Sequence, residues 1–154
     1  MKVTYSYYAD AKYTKAVKAA NVKAAKTYYV HANLAADASH KAAKSVVVKF
    51  VVAKAKNPLA AKAVGRTVKR ATVKKNAVVV KRPMSVAKAQ GKVTYARVAK
   101  GSSKYLTVNK KTGNVTVKRG APKKTLVIMI KVTSAGNDNY KAGSKTVTCK
   151  IAIK

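Results

Sequence analysis

The chain has 154 residues, with 35 Lys and Arg against only three acidic residues, Asp10, Asp37 and Asp138, and a formal net charge of +32. A surface of that sign repels its own copies and attracts polyanions, so charge admits nucleic acid, anionic lipid and acidic polysaccharide as partners without choosing among them. The single cysteine, Cys149, excludes an intramolecular disulfide, and no apolar run approaches the roughly 18 residues that a membrane-spanning helix requires.

The opening MKVTYSYYADAK has no apolar core segment and is not expected to be a secretory signal. Residues 2–8 (KVTYSYY) start as a strand. Residues 14–26 (TKAVKAANVKAAK) are rich in the helix formers Ala and Lys, with Val17 and Val22 too sparse for an apolar stripe. Strand, short helix and disorder stay open there. TYYVHA at 27–32 is strand-like, 34–43 reads as a loop, and Val46, Val48, Phe50 and Val52 alternate along a further strand. Asn57-Pro58 disfavours helix at Asn57 and marks a boundary. The division expected is therefore 1–54, a linker at 55–60, and a second domain at 61–154.

In that second part, 77–81 is a short strand broken by Arg82-Pro83, which suits an edge or a strand break rather than a central ladder. Residues 92–98 alternate through Val93 and Tyr95. YLTVN (105–109) and NVTVK (114–118) make a hairpin around KKTG, with Gly113 at the permissive turn position. Leu126, Ile128, Ile130 and Val132 share one strand face, with Val127 and Met129 on the other. Val147, Cys149, Ile151 and Ile153 point inward on the last strand. Period two with Gly, Pro and Asn turns at regular spacing is the pattern of a β-sandwich.

The chain also repeats itself. KVTY stands at 2–5 and at 92–95, His40-Lys41-Ala42 parallels Tyr140-Lys141-Ala142, and KSVVVKFVV (44–52) parallels KTVTCKIAI (145–153). A repeat defines the folding unit. The fold expected is all-β: an immunoglobulin-like β-sandwich preceded by a truncated, degenerate copy of the same repeat.

YLTVNKKTGNVTVKRG and VTSAGNDNYKAGSKTVTCKIAIK, with NPLAAKAVGRTV and AQGKVTY before them, closely resemble lysine-rich immunoglobulin-like tandem repeats of secreted or wall-associated proteins of Clostridium-like Gram-positive bacteria. The resemblance covers 57–154 and extends faintly over 2–54. It implies a non-catalytic structural or spacer module of a bacterial surface or secreted protein, placed in the cell wall or outside the cell, with anionic cell-wall polymer or carbohydrate as partner. The alternative is a basic protein that binds nucleic acid nonspecifically at low salt through lysine-rich surfaces. Lysine dominates the cations, and the five arginines are Arg66, Arg70, Arg82, Arg97 and Arg119. Lysine is a hydrated point charge, whereas arginine supplies planar bidentate recognition, so this surface does not read as a base-reading site.

No catalytic, cofactor-binding or metal site is expected, and no enzymatic activity. Asp138 is a lone carboxylate between two asparagines, whereas calcium takes several oxygen ligands in one cage. A calcium-stiffened interdomain junction is therefore not expected. His31, His40 and Asp37 read as scattered surface groups rather than a zinc set. Cys149 lies on an inward face without a histidine nearby in sequence, where a free thiol behaves as a small hydrophobe. Tyr5, Tyr7, Tyr8, Tyr13, Tyr28 and Tyr29 fall within the first 30 residues, either as core or as stacking surfaces for bases or sugar rings.

Overall fold

The computed structural model describes residues 2–154. Two units are resolved: 2–55 with 138–140, and 56–137 with 141–154.

In the first unit, β1 (Val3–Tyr8) pairs antiparallel with β3 (Lys26–Leu34), Val3 opposite Leu34 and Tyr8 opposite Tyr29. The Ala/Lys stretch between them resolves into β2 (Ala16–Val17), which extends the sheet beside β1, and one 3-10 turn at Ala19–Asn21. Alanine and lysine carry helix propensity, but no apolar stripe gives a longer helix a face to bury. The other edge of β3 is shared by β4 (Ala43–Lys44) and β5 (Val48–Val52). The run expected as one strand from Val46 is thus broken, and Val46 stands 84% exposed between the two pieces.

The second unit is the immunoglobulin-like sandwich. Residues 60–68 divide between its sheets: β6 (Ala60–Ala63) pairs antiparallel with β9 (Met84–Ala87), whereas β7 (Arg66–Val68) runs parallel to the last strand, β14 (Gly143–Ile153). A four-stranded sheet is ordered β10-β13-β14-β7, with β10 at Val93–Val98 and β13 at Thr125–Ser134. A three-stranded sheet is ordered β11-β12-β8, with β8 at Val78–Val80, β11 at Leu106–Val108 and β12 at Val115–Val117.

The expected inward faces are the buried ones. Leu126, Ile128, Ile130 and Val132 of β13 and Val147, Cys149, Ile151 and Ile153 of β14 join Leu106, Val115 and Val117 in one apolar core. Burying each such side chain is worth about 1.5–3 kcal/mol. The hairpin also forms as expected: the Asn109 side chain accepts from the Lys111 and Thr112 N–H groups at 2.9 and 3.0 Å, and Gly113 closes the turn at φ 71°. An alanine Cβ at Gly113 would lie 2.8 Å from the Tyr95 ring, so both conformation and space require glycine.

Two features escaped the sequence reading. A short helix, α1 (Arg70–Lys75), connects β7 to β8 and buries only Val73. Its β-branched Thr72 and Val73 carry little helix propensity, so packing rather than local preference decides it. Within the stretch expected as a linker, Asn57 and Leu59 are buried and Ala60 already opens β6.

Asn57 ties several loops of this unit together. Its Nδ2 donates to the Gln90 carbonyl at 3.0 Å, and to Ser134 Oγ and the Lys141 carbonyl at 3.2 Å. Its Oδ1 accepts from the N–H groups of Leu59 and Gln90 at 3.3 and 3.2 Å. A buried amide with both ends engaged satisfies backbone groups that loops otherwise leave orphaned.

Candidate polyanion-binding surface

All three aspartates fall in the first unit, so the sandwich contains no Asp or Glu side chain. It holds 25 of the 35 lysine and arginine residues, the first unit the other 10. Every lysine of the sandwich is exposed. The period-two strands contribute to this arrangement: alternate positions feed the core, and Lys131 of β13 and Lys150 of β14 lie between them on the exposed positions. A cation that has no carboxylate in its own unit to pair with keeps its charge available to an outside anion.

The early tyrosines do not form one stacking platform. Tyr7 meets Phe50 edge-on at 6.5 Å, and Tyr28 stacks on the same ring at 5.8 Å. On the alternate positions, Tyr8 contacts Tyr13 at 5.8 Å and His31 at 5.4 Å, while Tyr13 contacts Tyr29 at 6.1 Å. The rings are largely spent on one another, which is the packing reading of these residues. Tyr5, at 62%, and Tyr13, at 43%, are the exposed members of the set.

The histidines separate. His31 Nε2 faces the Tyr8 hydroxyl at 3.4 Å, whereas His40 Nδ1 pairs with Asp37 Oδ1 at 3.0 Å in an exposed loop. The backbone N–H of Ser39, then His40, hold the Asp37 carboxyl below its ordinary range. Asp10 is likewise lowered, first by the Thr14 hydroxyl and then by the Lys15 N–H. Both carboxylates thus serve their own turns. Burial pushes the Cys149 thiol above its usual range, and no base activates it. Among the described residues no cluster of three His, Cys, Asp or Glu could hold a metal ion, and no helix is long and apolar enough to cross a membrane.

The strands of the second unit define an all-β fold, an immunoglobulin-like sandwich. No family model matches the chain, and no curated protein matches it. The extracellular cadherin domains 3–6 of protocadherin gamma B2 align with 98% of this chain and 41% of that chain, at 11% identity and a TM-score of 0.51. The protocadherin gamma B4 extracellular domain aligns with 97% of this chain and 28% of its own length, at 12% identity and a TM-score of 0.45. Drosophila N-cadherin domains 1–4 align at 11% identity and a TM-score of 0.41, covering 42% of that chain. The chain therefore spans less than half the length of these structures, and the likeness is one of fold.

These findings overturn the expected membership in bacterial lysine-rich wall repeats. No such family matches, and the solved structures that align are cadherin extracellular domains. The bacterial assignment falls with it, and the high lysine content stands as a composition rather than a family mark. The motif match misled because KKTG hairpins and alternating Val/Lys strands are what any lysine-rich sandwich must write.

Proposed function

We propose that the chain is a non-catalytic, extracellular structural module whose sandwich unit adheres to anionic polysaccharide through its lysine surface. The carrying observation is the sandwich itself: a complete apolar core, every lysine outward and no acidic side chain in the unit. The fold it shares with extracellular cadherin domains supports the structural role and the extracellular placement.

In this reading residues 1–54 descend from a truncated copy of the same repeat. In support, the VTY of KVTY opens both β1 and β10, and each strand pairs antiparallel with a long strand that ends at a loop, β3 at Leu34 and β13 at Ser134. Those long strands then pair onward with β4 and β5 in one unit and β14 in the other.

Nucleic acid is the competing occupant, and salt separates the two. The full chain is titrated with heparin, hyaluronan and a random-sequence DNA duplex at 150 mM NaCl and above. Polysaccharide binding that persists while duplex binding collapses supports the proposal. Duplex binding that survives while both polysaccharides fail refutes it.

A further inference from the structure

Beyond its diffuse charge, the sandwich carries several surface clefts, and one of about 420 Å³, a volume within the usual range for small-ligand sites, is lined by two arginines. Its wall combines the half-buried Val64, Val86 and Tyr95 with three hydrogen-bond donors, Arg66, Arg82 and Thr112. Two of the five arginines, 16 residues apart in sequence, thus meet at one opening on a lysine-dominated protein.

The rim is held in place from several directions. Arg66 Nη2 donates to the Arg82 carbonyl at 2.9 Å. The Arg82 N–H donates to Asn114 Oδ1 at 3.3 Å, and Arg82 sits in the left-handed region at φ 50°. The Val64 N–H donates to the Pro83 carbonyl at 2.8 Å, fixing the other side of the bend. Thr112 Oγ1 accepts from the Asn114 N–H at 3.3 Å, which leaves its own proton to donate. No acidic side chain exists in this unit to neutralise the two guanidinium groups.

We infer that this cleft binds a single anionic sugar residue, with its carboxylate or sulfate held by Arg66 and Arg82, a hydroxyl on Thr112 and the ring carbons against the half-buried Val86 and Tyr95. Arginine forks match carboxylate and sulfate geometry and bind more strongly than neutral donors. The apolar wall calls for a carbon body, which a bare ion lacks. The inference rests on the polysaccharide reading and narrows it to one site.

The test titrates the full chain at 150 mM NaCl with a heparin tetrasaccharide, a hyaluronan tetrasaccharide and inorganic sulfate, read by amide chemical shifts. The first two arms distinguish sulfate from carboxylate recognition. Saturable shifts confined to residues around Arg82, Tyr95 and Thr112 are expected with at least one tetrasaccharide. The charge-conserving pair Arg66→Lys and Arg82→Lys should weaken that binding about tenfold, the loss expected for one charge-assisted contact. Thr112→Val, at an exposed position, should weaken it about threefold and serves if the double variant does not fold. Lys41→Gln with Lys44→Gln removes two exposed charges from the first unit, outside the sandwich, and should leave tetrasaccharide affinity within twofold.

Equal binding by the Arg→Lys pair, shifts spread evenly over the lysines, or inorganic sulfate binding as tightly as either sugar each overturns the site. If long heparin still binds in the first two of these cases, the surface reading survives without the cleft. If no long polysaccharide binds at all, the surface reading fails, and localised tetrasaccharide shifts alone then decide the cleft.

Discussion

Replacing Asn57 by Ala should be the most damaging polar substitution in the sandwich. The amide is 8% exposed and serves five partners. The losses are unequal. Ser134 Oγ and the Gln90 carbonyl keep the hydrogen bond they make with each other. The Lys141 carbonyl and the Gln90 N–H lie in part-buried bonds that water can reach. The Leu59 N–H is left buried without its acceptor. Each orphaned group costs about 1–3 kcal/mol, so one full penalty and two partial ones sum to about 3 kcal/mol. At about 1.4 kcal/mol per factor of ten, protection of the slowest amides in β13 and β14 should fall roughly 100-fold. Native-state hydrogen exchange of Ile128, Ile130 and Cys149 reads this directly. Lys56→Ala, one residue away and exposed, should leave it unchanged. A fall of less than about fivefold for Asn57→Ala would refute the idea that this amide holds the loops together.

Glycine substitutions should divide sharply. At Gly91 (φ 91°) an added Cβ would lie 1.9 Å from the Gly136 carbonyl oxygen, whereas Gly65 has open space. Gly91→Ala should cost about 3 kcal/mol or more and Gly65→Ala under about 1, measured by urea unfolding; equal effects would contradict the loop packing. Cys149 should resist alkylation at pH 8 in the native protein and react at the rate of unfolding once urea is added, because it is buried and its thiol is raised. Since its folded pKa lies above the ordinary value of 9.0, its contribution to stability is complete below pH 9 and declines as pH rises through the folded value. Rapid native labelling at pH 8 would sink that account. Asp10 shows the opposite sign: its folded pKa lies below 3.8, so the order it lends the 10–15 turn is present above that pH and is lost as pH falls through the folded value. Amide shifts of Thr14 and Lys15 should follow one titration below pH 3.8, and their indifference to acid would show that the carboxylate does not hold the turn.

Much of the sandwich was legible because its strands obey one rule. A strand alternates faces, so Leu126 to Val132 and Val147 to Ile153 announce their inward sets residue by residue. Asn109, Thr112 and Gly113 announce the hairpin because each has a local stereochemical reason to be there. The break at Arg82-Pro83 was legible for the same kind of reason, since β8 ends at Val80 and β9 resumes at Met84. Helix α1 was not, because its one buried residue, Val73, leaves no periodic trace.

The candidate sites were less legible still. Charge and its sign are plain in the composition, but its segregation by unit is visible only once the aspartates are assigned to the first unit. Asn57 looked like boundary punctuation beside Pro58, and nothing near it in sequence names Gln90, Ser134 or Lys141 as its partners. Arg66 and Arg82 are likewise unremarkable along the chain.

By itself, then, the sequence determined the strand faces, the hairpin and the polyanion-seeking charge, since these follow from periodicity, local stereochemistry and composition. Only the tertiary structure decided the division of 60–68 between two sheets, the Asn57 node and the paired arginines. Each of these joins residues distant along the chain, and such pairings are set by the closure of the whole core rather than by any local preference.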